Sequence, residues 1–163
     1  MTVFALLLVI GLAPPVAAQD FTIDAHLIDR CLPLHDNPMA CVGRQADACI
    51  LRNGNGPNMV VGACFEAEAA VWDAWLNTAY RDLVRLARDR EAADMGYEEG
   101  NLQIALQEMQ RAWITYRDAS CGNALTLAAP FGSAAGPAYY ECMTEHTARQ
   151  YFILRGLRQA YLD

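Results

Sequence analysis

Six cysteines, at positions 31, 41, 49, 64, 121 and 142, stand behind an apolar N-terminus, and these two features restrict the chain more than any others. The opening MTVFALLLVIGLAPPVAAQDF carries an apolar run from Val3 to Leu12 and a small-residue site at Val16, Ala17 and Ala18 before Gln19. That pattern reads as a secretory signal peptide over residues 1–18, although only the free α-amino group supplies positive charge ahead of the run. The run falls short of the roughly 20 apolar residues of a membrane span, and no later stretch reaches that length. The mature chain is therefore expected to have no membrane span. No cysteine directly follows the cleavage site to take a lipid.

An even number of cysteines in an exported chain reads first as disulfides. Their spacing favours three local bridges: Cys31 with Cys41, Cys49 with Cys64, and Cys121 with Cys142. A Cys/His metal site is the rival, since His35 follows Cys31 by four. No CxxC pair supports it, and His26, His35 and His146 are scattered. Neither a metal nor another cofactor is expected.

Cleavage leaves 145 of the 163 residues, a length suited to one domain. The formal charge is −7 and every basic residue is arginine, which excludes lysine chemistry. Glu91, Asp94, Glu98 and Glu99 crowd one short span. Such a surface repels nucleic acid and favours a basic partner.

Residues 19–58 are interrupted by Pro33, Pro38 and RNGNGPN at 52–58, so they can hold only short helices, expected over 24–32 and 38–52. From about Met59, Phe65, Ala69, Trp72, Leu76, Tyr80, Leu83 and Leu86 recur at steps of three and four, the mark of a long amphipathic helix. Gly96 and Gly100 break it. A second stripe follows through Leu102, Ala105, Leu106, Met109, Trp113, Tyr116 and Ser120, with its helix expected to end near Cys121–Gly122. Residues 123–137 hold two prolines and no sustained period, and read as a loop with at most one helical turn. The third helix carries Tyr140, Met143, Thr147, Tyr151, Leu154, Leu157 and Tyr161, with Glu145 and Arg149 spaced for an ion pair. The expectation is an all-α fold: a compact antiparallel bundle of three main helices over 59–163, forming one folded unit with a disulfide-rich segment over 19–58.

Catalytic groupings are weak. Glu141 and Glu145 share a helix face, but carboxylate catalysis needs a cleft that raises one pKa. Ser120 beside Asp118 and Cys121 lacks a nucleophile-elbow pattern and a nearby histidine, and no CxxC tunes a thiolate. No catalytic residue is assigned. The stretch QRAWITYRDASC at 110–121 instead reads as a structural hub, with Met109, Trp113 and Tyr116 inward, Trp72 and Trp75 as partners of Trp113, and Arg117 at the stripe's edge. A bridge from Cys121 to Cys142 would add about 3 kcal/mol in the chain-entropy account. Arg117 could alternatively present a binding fork.

Cys64, WDAWLNTAY at 72–80, QRAWITYRDASC, FGSAAGPAYY at 131–140, and Cys142, Thr144 and Arg149 together resemble the bacterial exported LprI-like family, named for a lysozyme inhibitor. The likeness covers about residues 49 to 160. Cys31, Cys41 and the missing lipid-anchor cysteine depart from the founding lipoprotein. The resemblance implies a helical fold, export and a binding role without catalysis, possible inhibition of a basic lysozyme being its specific form. A structural or accessory module that binds another envelope protein is the alternative. Within this reading Trp72, Trp75, Tyr80, Trp113, Tyr116 and Arg149 form the hub. Two surfaces compete for the partner: the acidic turn with Glu98 and Glu99, and the tip Pro130, Phe131, Gly132, Ser133, where Phe131 and Ser133 would make contact. The tip would be pre-organised by the Cys121–Cys142 bridge. Phe131 folded back on the core is the competing placement.

Overall fold

In a computed structural model, structure is described for residues 19–93, 96 and 98–162, with side chains to residue 160. The signal-peptide assignment to 1–18, together with Asp94 and the side chain of Tyr161, lies outside the described residues. Five α-helices follow in order: α1 (Ala25–Cys31), α2 (Arg44–Arg52), α3 (Asn58–Ala92), α4 (Asn101–Ala128) and α5 (Ala135–Leu162). Short 3-10 turns cover Leu32–Leu34, Pro38–Cys41 and Ala129–Ala134. No strand occurs among the described residues.

Local chemistry accounts for the short elements. Asp24 caps α1 by accepting from the backbone N–H of His26, and Asn37 does the same for Met39 at the next turn. Gly43, at φ +84°, takes the left-handed conformation that separates the Pro38–Cys41 turn from α2. Three disulfides close as the spacing implied: Cys31–Cys41, Cys49–Cys64 and Cys121–Cys142.

The three long helices run up, down and up, so α5 lies parallel to α3 and antiparallel to α4. α3 and α5 form the main packed pair. Close approach begins at Gly62, where an added Cβ would stand 3.5 Å from the backbone of Pro137. It continues where Thr144 donates its hydroxyl to the carbonyl of Phe65 at 2.9 Å. Further along, Leu76, Ala79, Leu83 and Ala87 of α3 pack with Leu106 of α4 and Leu154 of α5. The N-terminal segment covers the other half of this pair. Ala46 and Cys49 pack on Val60 and Cys64, and Ile28 joins Trp72 and Ala148.

Two expectations fail. Residues 123–137 are not a loop: α4 runs on to Ala128, and a 3-10 turn then leads directly into α5. Gly122 sits inside the helix because the residues after it, Ala124, Leu125 and Ala128 among them, are mostly strong helix formers. The backbone leaves helical geometry at Phe131 and at Gly132, whose φ of 64° and ψ of −115° suit glycine.

The inward stripe of α4 is also shifted. Tyr116 is 61% exposed and Ala105 faces outward, while Gln110 is buried and the Arg117 side chain only 15% exposed. A stripe built from steps of three and four has two permitted continuations, and the buried Cys121 selects the one through 117, 113, 110 and 106.

Candidate partner-binding site

The aromatic hub divides into separate places. Trp72 is fully buried and its neighbours are Trp75 (ring centroids 5.2 Å), Tyr151 (5.8 Å) and Phe152 (5.5 Å), so α5 supplies the partners expected from Trp113. Trp113 and Tyr80 pack half-buried on the Leu76–Leu154 cluster. Tyr116 meets the ring of His146 at 5.3 Å on the surface between α4 and α5. Arg149 is surface as well, paired with Glu145 at 2.7 Å with both side chains 56% exposed. The rings around Trp72 lie between α3 and α5 because those helices pack along most of their length.

Arg117 is occupied. Its guanidinium carbon stands 4.8 Å from the centre of the Trp113 ring, and its Nε and Nη2 both donate to Asp118 Oδ1, at 2.9 and 2.8 Å. A fork already directed at one carboxylate and stacked on an indole is a poor site for capturing another group.

The two candidate surfaces lie at opposite ends of α3, a 35-residue helix about 52 Å long. A standard interface covers about 800 Å² per partner, a patch roughly 30 Å across, so the two surfaces cannot share one. At the acidic end, Glu91 is turned to the protein. Its carboxylate accepts from the backbone N–H of Leu102 at 2.7 Å and from the side chain of Gln103 at 2.8 Å, capping α4 from the preceding helix. The Gln103 bond, followed by backbone N–H groups of the same turn, holds the Glu91 carboxyl below its ordinary value. Glu98 and Glu99 are exposed, and Glu98 also accepts from the Asn101 side chain.

At the opposite end, the turn between α4 and α5 presents Phe131, 76% exposed. It does not fold back on the core. Ser133 Oγ is 3.1 Å from the Asn58 amide, which ties the turn to the first residue of α3. The Cys121–Cys142 bridge closes the turn's two helices below it. Leu127 and Met59 are 67% and 70% exposed at the same end. The result is a supported tip with exposed apolar side chains around it, and Phe131 is the side chain furthest from any packing role.

Several of the groups weighed for catalysis are engaged elsewhere, Glu145 among them through Arg149. Asp118 is held by Arg117, and Cys121 is bridged. Sulfur and imidazole atoms do gather in two triplets, Cys31–His35–Cys41 and Cys121–Cys142–His146, with ligand atoms within 4.8 Å of one another. In both, the sulfurs are joined to each other and offer no thiolate. Each triplet thus retains one imidazole, too little to hold a metal.

Sequence reasoning missed three polar groups at the centre of the molecule. Glu68 of α3 is fully buried, and its carboxylate accepts from the backbone N–H groups of Gly43 and Ala46, each at 2.7 Å, and from Trp72 Nε1 at 2.9 Å. Gln110 and Gln150 join α4 to α5 through a buried hydrogen bond, in which Gln150 Nε2 donates to Gln110 Oε1 at 3.1 Å. A glutamate four residues ahead of a core tryptophan was the available signal for the first. Gln110, eleven residues before Cys121, was the signal for the second.

A model of the family described as lysozyme inhibitor LprI matches residues 53–152. The chain belongs to the LprI family. The match spans α3, α4 and most of α5, so it includes the tip, the Cys121–Cys142 bridge and the Gln110–Gln150 pair. Cys31 and Cys41 lie outside it. No curated protein and no solved structure matches the chain.

Proposed function

We propose that the protein is exported and inhibits a basic lysozyme by inserting the turn at 129–134 into the enzyme's cleft. The observation that carries this reading is Phe131, an exposed aromatic on a turn held by Asn58 and by the Cys121–Cys142 bridge. A turn already in its bound shape loses little conformational freedom on association, and an aromatic anchor is the side chain that most often dominates an interface. Membership of the LprI family supports a lysozyme as partner and binding in place of catalysis. Three disulfides fit an extracytoplasmic protein. No described helix is long and apolar enough to cross a membrane. The formal charge of −7 favours encounter with a basic enzyme.

The test is a turbidity assay of lysozyme on bacterial cells with the oxidised chain from residue 19 onward. Concentration-dependent protection is expected. If lysis by every lysozyme tried proceeds unslowed at a large excess of the protein, the alternative of an accessory module binding another envelope protein takes its place.

A further inference from the structure

Away from the tip, a groove of about 450 Å³ opens between α1 and the α3–α5 pair. Trp75 and Tyr151 form its floor, their ring centres 5.7 Å apart. Both rings are set by the core, Trp75 through its edge contact with buried Trp72 and Tyr151 through Phe152. Arg155 and Arg158 line the α5 side, and Asp29 and His26 of α1 the other. An adjoining cavity of about 780 Å³ shares Asp29, Arg155 and Arg158, so these residues stand between two connected spaces.

The charges here are left open. Arg155 lies over the Tyr151 ring at 5.7 Å, with one guanidinium nitrogen 3.4 Å from the phenol oxygen. Among the described residues, neither Arg155 nor Arg158 pairs with a carboxylate, in a chain where acids outnumber bases. The other carboxylate of the groove, Asp82, is held by Arg85. Two guanidiniums one helical turn apart, above half-buried rings fixed in place, can take a carboxylate and a ring at the same time. Asp29 and Asp82 oppose any ligand whose negative charge is spread more widely.

We propose that this groove binds a small ligand bearing one carboxylate beside a ring, the ring against Trp75 and Tyr151 and the carboxylate at Arg155 and Arg158. The acid-bearing ring of a sugar and the aromatic end of a peptide share this chemistry. The proposal is independent of lysozyme binding.

The oxidised chain from residue 19 onward is titrated with N-acetylphenylalanine, its uncharged amide, N-acetylmuramic acid and N-acetylglucosamine, following the indole N–H resonance of Trp75. At least one acid should shift that resonance to saturation, with its uncharged counterpart about tenfold weaker or more, as expected for loss of a charge-assisted hydrogen bond. The tighter of the two acids identifies the source. Arg155→Gln with Arg158→Gln should weaken the acid by a similar factor at unchanged melting temperature, while Phe131→Ala leaves it unaltered. Equal response to an acid and its uncharged counterpart, parental affinity in the double variant, or no shift with either acid would overturn the assignment. If the double variant melts lower, Asp29→Asn serves as the second probe: removing a repelling carboxylate should tighten the acid, and weakening counts against the groove.

Discussion

The buried carboxylate of Glu68 accepts a 2.7 Å hydrogen bond from the backbone N–H of Ala46, on a helix 22 residues earlier in the chain. Glu68 thus acts as a remote N-cap for α2. Its other oxygen takes Gly43 N–H and the Trp72 indole, so one side chain joins the N-terminal segment to the aromatic core of the bundle. Replacing it strands three donors at once, two of them buried.

Glu68→Ala should destabilise the fold by about 3–5 kcal/mol, the cost of breaking a buried, fully partnered polar cluster. Chemical denaturation measures it. A loss under about 1 kcal/mol would mean the N-terminal segment docks without this cap.

Phe131→Ala with Ser133→Ala should abolish lysozyme inhibition and leave helical content and melting temperature nearly unchanged, since Phe131 is 76% exposed. Full inhibition by this pair would remove the tip from the interface.

Removing the bridge by Cys121→Ala with Cys142→Ala should cost about 3 kcal/mol in urea unfolding, as expected for a closed loop of this size. The inhibition constant should weaken as well, because the turn's two helices lose their tie. Undiminished inhibition would show that Asn58 and packing alone hold the tip.

Acid should weaken the junction of α3 with α4. The Glu91 carboxyl is held below its ordinary value of 4.5 in the folded state, so its contribution is complete above that value and lost as pH falls through the folded one. Glu91→Gln should therefore lower the melting temperature at pH 7 and flatten its decline on acidification. Parallel pH profiles for parent and variant would contradict the capping role.

Glu98→Gln with Glu99→Gln should slow association with a basic lysozyme slightly and reduce its dependence on salt, with little change in dissociation. Exposed charges far from the contact act through the long-range field, which salt screens. A large rise in dissociation rate would instead put the acidic turn inside the interface.

The parts legible in the sequence were those governed by near neighbours. Three disulfides of short span, the start of α3 after the RNGNGPN turn and the Glu145–Arg149 pair all depend on residues close in the chain. The helical class follows from the steps of three and four. The tip was legible as Pro130 to Ser133, although its setting was misjudged as part of a long loop.

Residue chemistry and spacing alone determined that this is a bridged, all-helical chain. Tertiary structure decided which side of each helix is inside. In α4, tyrosine and arginine at 116 and 117 exchange the expected places because the bridge at Cys121 sets the helix's rotation, a choice that helical periodicity leaves open. It also decided that α5, and not α4, supplies the rings around Trp72, that Glu91 caps a helix where an open acidic surface was expected, and that Glu68 can be buried at all. A glutamate enters a core only when donors from distant segments converge on it. Local sequence carries no record of that convergence, because the free energy that permits it arises only once the helices have packed.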